Sequence, residues 1–323
     1  MHSLKYCSYI LMKVHTLDID SSERDPVLYP NPGDYVVYLK NPIYDVSKIS
    51  LISARIHNSQ YLIHSRNNTF DILTNGGSTQ TVTIPVGNYG GQALADAIVA
   101  QSTVITSATF NKDTNAITFT GSSDFTFLFY SGTNGYNSSV HGYTTPHDIL
   151  GLPASDTSST SNTLETGSIN LQGADAIVVK LSSGSDEFNK TIFSQTPFYT
   201  GRILLCGDVI NYSGVDDAVE HNFDSGSQKT ISRLRVQFYY SSNNRLIPYD
   251  FRNANHIIKL SVSCSTDKLE NLSNVKRDTS LPPPMSIPDL EDPRRWDAFI
   301  SIFAIVATGL FLLLVTKKRK LIE

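Results

Sequence analysis

The sequence predicts an all-β protein: an antiparallel β-sandwich or jelly-roll-like domain with one short helix, followed by an extended tether and a single C-terminal transmembrane helix. Three observations lead to this prediction. Apolar and polar residues alternate in about ten to twelve short runs between Tyr35 and Val262. Only one internal stretch shows helical spacing, and one long uncharged run lies near the end of the chain, at residues 298–316.

The alternating runs define the predicted strands and their buried faces. The run "RLRVQFYY" places Val236 and Phe238 on its apolar face, and "HIIKLSVSC" places Ile258, Leu260 and Val262 there. Successive side chains of a strand point to opposite faces, so we predict that these five residues lie in the core. Such runs at short spacing are typical of a sandwich or jelly roll rather than an α/β fold.

One internal helix is predicted, in "GNYGGQALADAIVAQS", where glycines leave a strand and apolar residues then recur with helical spacing. Residues 112–115 are predicted to turn a hairpin and residues 147–150 to form a short turn of helix. Residues 155–168, rich in Ser and Thr, are predicted to form a mobile loop.

Five segments follow from these patterns. They are an N-terminal extension (residues 1–16), the β-sandwich domain (17–264), a Pro-rich extended tether (265–295), the transmembrane helix (296–316) and a basic tail (317–323). The tether contains "LPPPMSIPDLEDP", which favours a polyproline-like chain that rises about 3.1 Å per residue.

The predicted span has the length of a membrane core. Nineteen uncharged residues, 298–316, at about 1.5 Å each give roughly 28 Å, close to the ~30 Å of the hydrocarbon layer. A buried core helix would show a polar stripe, which this run lacks. The predicted anchor comprises Trp296, Ala298, Phe299, Ile302, Phe303, Leu310, Phe311, Leu314 and Val315. Headgroup contacts are predicted for Arg294, Arg295, Lys317, Lys318, Arg319 and Lys320.

Two features bear in opposite directions on the orientation of this helix. The start "MHSLKYCSYILMKVH" lacks a small-residue cleavage site, so we expect no secretory signal, a β domain folded in the cytosol and a tail-anchored helix. The basic tail, in contrast, favours the cytoplasmic side. The missing signal favours the tail-anchored orientation, and either Met1 or Met12 could be the functional start.

Composition and motifs predict a protein that is not an enzyme and has no cofactor, metal or small-molecule substrate. A net charge of −4 makes nucleic acid an improbable partner, and three widely spaced cysteines indicate reduced thiols. The stretch "VGNYGGQ" lacks the residues of a phosphate-binding loop, and His141 with His147 lacks further metal ligands. The stretch "DIDSSERD" lacks the central Gly and the closing Glu of a calcium-binding loop, so we predict a turn capped by Asp20 and Ser21.

Several stretches taken in order resemble a known family. They are "LDIDSSERDPVLYPNPGDYVVYL", "VSKISLISARIHNSQYLI", "NNTFDI", "TVTIPVGNYGGQALADAI", "ATFNKDTNAITF", "HDILGL" and "RLRVQFYYSSNNRLIPYDFRNANHIIKLSV". From about Leu17 to Val262 the chain resembles β-sandwich minor capsid proteins of nucleocytoplasmic large DNA viruses, including giant and algal viruses. It departs from their pattern at Ser22-Glu23, where Arg-Asp is more usual, and at Leu152-Pro153, where Phe is commoner.

The resemblance implies a structural role between the capsid shell and the internal membrane of a virion assembled in the host cytoplasm. Its implied partners are the major capsid protein, other minor capsid proteins and the lipid bilayer. By position, residues 30–35 would turn into the first strand, residues 87–89 into the helix and residues 249–251 into the last strand.

Two other functions are compatible with the anchor. A virion entry or fusion protein would more often carry paired cysteines or a second apolar segment. A cellular tail-anchored or surface protein would be favoured by glycosylation at the sequons, which are Asn67, Asn137, Asn189, Asn211 and Asn271.

Overall fold

A computed structural model of the chain describes residues 12–137, 142–184, 186–188, 199–215, 218–223, 229–265 and 293–319. The chain divides into two compact units, Met1–Asn271 and Leu272–Glu323. In the described part, the first unit consists of antiparallel sheets with one short α-helix, and the second contains one long apolar helix. The predicted fold class is therefore confirmed.

The strands in chain order are β1 (Met12–Asp20), β2 (Asp34–His57), β3 (Thr69–Thr74), β4 (Thr79–Thr83), β5 (Ile105–Asn111), β6 (Ala116–Gly121), β7 (Phe125–Leu128), β8 (Thr157–Ser158), β9 (Thr163–Glu165), β10 (Ala176–Ser183), β11 (Asp186–Glu187), β12 (Gly201–Leu204), β13 (Val209–Ser213), β14 (Val219–Asn222), β15 (Lys229–Ser242), β16 (Arg245–Pro248) and β17 (Ile257–Ser265). The α-helices are α1 (Gly91–Gln101) and α2 (Pro293–Arg319), and a 3₁₀ turn covers Ser21–Glu23.

A large sheet forms one half of the first unit. Its strands run in the order β1-β17-β2-β15-β10-β11, with β12, β13, β14 and β16 paired alongside. The 24-residue β2 pairs with β15 in its first part and with β17 farther along, so it links the two halves of the sheet. Strand β1 is antiparallel to β17, with Leu17 opposite Leu260. The apolar positions of these strands face one hydrophobic core.

Two smaller sheets and α1 enclose a second core. The sheets are β4-β3-β7-β8 and β5-β6-β9, and α1 buries Leu94, Ala95 and Ile98 against them. The Phe127 ring meets two other rings edge to face, with its centroid 5.2 Å from that of Phe70 and 5.5 Å from that of Phe119. Such pairs add about 0.5–1.5 kcal/mol each to the burial of the rings themselves.

The structure corrects three details of the sequence prediction. Residues 155–168 contain β8 and β9 instead of a mobile loop, because Thr157 pairs with Phe127 and the buried Leu164 pairs with Phe119. The short turn of helix predicted at residues 147–150 is present as a single turn, in which the Leu150 N–H donates to the Pro146 carbonyl at 3.0 Å.

The other two corrections concern the first strand. Residues 30–35 lead into β2 and not into the first strand, because β1 already pairs with β17 along residues 12–20. Residues 12–16, which we assigned to the N-terminal extension, therefore belong to the sheet. Most of the predicted tether, residues 266–292, lies outside the described residues.

Candidate functional site

The helix α2 is the feature of the structure that most clearly indicates a function. Its stretch Phe299–Lys317 is nineteen residues long, apolar, and not buried by any described part of the protein. The helix begins at Pro293, a residue favoured at the first helical position because its missing N–H has no intrahelical partner to lose. A helix that is apolar all round lies within a protein core or a membrane.

The predicted anchor residues lie along this helix. Phe303 is 78% exposed, and Phe299, Ile302, Leu310, Phe311, Leu314 and Val315 are exposed as well. Trp296 and Ala298 lie within α2, and only their backbone is described. Of the predicted headgroup contacts, Lys317 is exposed. Arg294, Arg295, Lys318 and Arg319 lie in the helix with their side chains outside the described part, and Lys320 lies outside it entirely.

The hydroxyl groups of Thr308 and Thr316 in α2 are satisfied by the helix itself. Thr308 donates to the Ala304 carbonyl at 2.7 Å, and Thr316 donates to the Leu312 carbonyl at 2.9 Å. Hydrocarbon offers no hydrogen-bond partner, so a polar group there must be satisfied internally. This pattern makes the helix compatible with a lipid environment.

The five predicted core residues are placed in the core of the large sheet. Val236, Phe238, Ile258, Leu260 and Val262 are each at most 1% exposed. The Phe238 ring packs edge-on against its neighbours Phe251, at 5.2 Å between centroids, and His256, at 4.6 Å.

Buried histidines in polar networks were missed by the sequence analysis. The His64 Nε2 lies 3.0 Å from the Tyr240 hydroxyl, and burial lowers the pKa of His64 to about 4. The His256 Nε2 lies 3.0 Å from the Tyr35 hydroxyl, and burial lowers the pKa of His256 to about 3. Both imidazoles are therefore neutral near pH 7. A single His among apolar residues gives no sequence signal for such a network.

His256 also ties the start of β17 to the capped turn after β1. The Ser21 N–H donates to the His256 carbonyl at 3.0 Å, and the His256 N–H donates to the Ser21 hydroxyl at 2.8 Å. The Asp20 carboxylate accepts from the Ser22 N–H at 2.8 Å, so the predicted cap is present. The stretch "DIDSSERD" thus serves local structure.

A further network surrounds His147, one of the two histidines that the sequence offers as metal ligands. His147 contacts Thr145 through Nδ1 at 2.7 Å and Asp148 through Nε2 at 3.1 Å, and the Ser242 hydroxyl donates to Asp148 at 2.7 Å. Burial opposes ionisation of Asp148, but hydrogen bonds from His147 and Ser242 outweigh it and lower the pKa of the carboxyl. The serine hydroxyl is bonded to the carboxylate and not to the imidazole, so this is not the order of a Ser-His-Asp nucleophile. His141 lies outside the described residues.

The described residues contain no cluster of three or more His, Cys, Asp or Glu side chains able to hold a metal ion. In these networks His64 and His256 each contact a tyrosine hydroxyl through Nε2, and the buried His256 Nδ1 has no hydrogen-bond partner among the described residues. The described residues do present exposed aromatic side chains on the β unit and the exposed apolar helix α2.

Comparison with known proteins gives a family. The chain matches the family of unknown function DUF5901 over residues 11–256. This protein belongs to the DUF5901 family. No curated protein matches the chain. The matched region ends before β17, so α2 lies outside it.

Two solved structures are similar to this DUF5901 chain. The mavirus penton protein is 10% identical, and the match covers 78% of this chain and 99% of that protein at a TM-score of 0.37. A chain in the cryo-EM structure of the Sputnik virophage is also 10% identical, and the match covers 78% of this chain and 98% of that chain at a TM-score of 0.28. TM-scores this low do not support a conclusion about the function of this chain.

The outer face of the large DUF5901 sheet presents aromatic and arginine side chains. Tyr38 is 65% exposed and lies directly opposite Arg233. Arg235 donates to both carboxylate oxygens of Asp34, at 2.8 and 2.7 Å. Tyr and Arg are enriched at protein interfaces, and this fork-shaped pair fixes the guanidinium for contact with another surface.

Proposed function

We propose that this DUF5901 protein is a structural capsid protein that α2 anchors in a membrane. The single observation that carries the membrane part is the exposed apolar stretch Phe299–Lys317. The capsid part is supported by the ordered resemblance to minor capsid proteins between Leu17 and Val262. In finer terms, the chain is a minor capsid protein of a giant-virus type of particle, lying between the shell and the internal membrane.

Insertion energetics favour the membrane location of α2. The helix exposes twelve Phe, Ile, Leu and Val side chains between Phe299 and Val315. At about 0.3–0.6 kcal/mol each, they contribute roughly 4–7 kcal/mol in favour of insertion. Lys317 and the cations after it lie at one end of the run, where they reach the headgroups. The helix therefore needs no other protein to cover it.

The outer face of the β unit supports contacts with capsid neighbours. Tyr38 and Tyr44 are both exposed on β2, and Arg235, which lies opposite Val36 on the same pair of strands, is already paired with Asp34. A neighbour can bury these rings without leaving that guanidinium unpaired. We expect hydrogen bonds and aromatic contacts, more than new ion pairs, to hold the chain against the major capsid protein and other minor capsid proteins.

Particle fractionation tests the proposal. Virions should contain the chain, and cryo-EM of intact particles should show density for it that joins the shell to the bilayer. Absence of the chain from purified particles would exclude the capsid role.

Truncation tests the anchor separately. A chain lacking residues 298–323 should be soluble after carbonate washing of membranes, whereas the full chain should stay with the membranes. Retention of the truncated chain in the membrane pellet would show that α2 is not the anchor.

A further inference from the structure

A small cavity of about 210 Å³ lies on the β unit. Two arginines line it, Arg66 and Arg245, and the other lining residues are uncharged: Ser65, Asn68, Thr69, Thr133, Asn134, Gly135, Tyr143 and Thr144. None of the described lining residues carries a carboxylate. Two cations with many neutral hydrogen-bonding groups are the chemistry of an anion site.

Arg66 is held in place but keeps most of its donors available. Its guanidinium lies over the Tyr143 ring, 5.3 Å from the centroid, and one nitrogen donates to the Gly142 carbonyl at 3.2 Å. Among the described residues it has no carboxylate partner. A guanidinium has five N–H donors, so this half-buried group has donors left for a ligand.

Arg245 approaches the same cavity from the start of β16. Its guanidinium lies 4.1 Å from the centroid of the Tyr136 ring and donates to the Tyr136 carbonyl. Stacking on an aromatic ring fixes the plane of an arginine, which favours recognition of planar or tetrahedral oxyanions. The two stacked arginines are brought together by segments far apart in the sequence.

The Asp71 carboxylate does not line the cavity. Asp71 is fully buried, and its oxygens accept from the Thr81 hydroxyl at 2.6 Å and from the Asn134 side chain and backbone N–H at 3.0 and 2.9 Å. Asp71 therefore fixes the Asn134 turn as one wall, while its own charge is satisfied behind that wall. The cavity keeps its cationic character.

We propose that this cavity binds a phosphate or sulfate group, with Arg66 as the main ligand and Arg245 and the surrounding hydroxyl groups as further contacts. The group could be a free ion or the charged part of a lipid or sugar. This site is independent of α2 and of the capsid role.

Thermal unfolding of the full chain in neutral detergent tests the site. Inorganic phosphate and sulfate, titrated at constant ionic strength, should raise the melting temperature and saturate. Arg66→Gln should weaken this binding roughly 10- to 100-fold, as expected for the loss of charge-assisted hydrogen bonds. Arg202→Gln is the matched control, because Arg202 also lies 5.3 Å from a tyrosine centroid, that of Tyr199, but does not line the cavity.

Further ligands in the same unfolding experiment identify the molecule that carries the phosphate or sulfate group. Glycerol 3-phosphate and glucose 6-sulfate represent a lipid headgroup and a sulfated sugar, and a ligand that binds more tightly than the free ions identifies the carrier. An equal response of wild type, Arg66→Gln and Arg202→Gln would reduce the effect to a general salt effect and overturn the proposal.

A labelling experiment on the unmodified chain avoids dependence on the variant. Phenylglyoxal modifies accessible arginines, and mass spectrometry of peptides locates each product. Phosphate should slow modification of Arg66 while leaving Arg202 unchanged. Equal rates at Arg66 with and without phosphate would contradict the site.

Discussion

The neutral histidines of the β unit link its stability to pH. His64 and His256 are buried against tyrosine hydroxyl groups, with pKa values lowered to about 4 and about 3. An unfolded histidine has a pKa of about 6.5. Above this pH both states are neutral and the histidines impose no pH dependence. As pH falls below it, the unfolded chain binds protons that the folded chain excludes, so stability decreases until the folded pKa is reached.

We predict that His64→Gln reduces the acid sensitivity of the protein. At pH 4.5 each buried histidine should destabilise the wild type by about 2–3 kcal/mol relative to pH 7. Denaturant unfolding of the full chain in detergent at both pH values should show a smaller difference for His64→Gln. His57→Gln, at an exposed position, is the control and should behave like wild type. If His64→Gln lost as much stability on acidification as wild type, the buried histidine would not be the cause.

Phe238 tests the strand phase predicted from "RLRVQFYY". The ring is 1% exposed and contacts Phe251 and His256. Phe238→Ala should therefore destabilise the protein by about 3–5 kcal/mol, measured by denaturant unfolding. Tyr44→Ala removes an aromatic ring that is 62% exposed and should change stability by no more than about 0.5 kcal/mol. Equal effects of the two changes would show that Phe238 is not in the core.

At the scale of elements, local sequence patterns predicted the strands and the helix whose formation depends on their own residues. Alternation in β15 and β17 follows from one buried face, and α1 follows from its glycine start and the spacing of Leu94 and Ile98. The short strands β8 and β9 were missed because each needs at most one buried residue, here Leu164. Their pairing with β7 and β6 depends on partners far away in the sequence.

The site residues also divide into those that local sequence predicts and those that depend on distant segments. The apolar helix α2 was predicted from composition, since an apolar run of membrane length needs no tertiary partner. The cavity at Arg66 and the networks of His64 and His147 were not predicted, because each joins side chains from distant segments. Ser242 and Asp148, for example, are 94 residues apart. No local feature of the sequence brings such residues together.

The helix α2 can be tested by one charge at its middle. Leu310→Arg places a cation within Phe299–Lys317 and should cost about 2.5–3.5 kcal/mol of insertion free energy. We expect a clear loss from the carbonate-resistant membrane fraction. Lys317→Arg, which keeps the charge at the end of the helix, should leave this fraction unchanged. Normal membrane retention of Leu310→Arg would argue against a spanning helix.

At the scale of the whole molecule, the proposed function joins two compact units of different solvent preference. The β unit has two apolar cores enclosed by sheets, and the helical unit exposes its apolar side chains. The tether predicted at residues 265–295 is reduced at both ends, because β17 includes Ser265 and α2 begins at Pro293, and residues 266–292 are proposed to form it. A shell protein with this arrangement would set a maximum distance between its β unit and the bilayer.

Shortening the predicted tether by about ten residues tests the central claim most directly. An extended chain loses up to about 31 Å of reach by this deletion, while the β unit keeps all of its described contacts. The deletion would fall within residues 266–292, and the purified chain should unfold at the same denaturant concentration as wild type. Cryo-EM of particles assembled with the shortened chain should show a narrower gap between shell and membrane, or assembly should fail. Particles of normal gap and normal yield would contradict a role in linking the shell to the membrane.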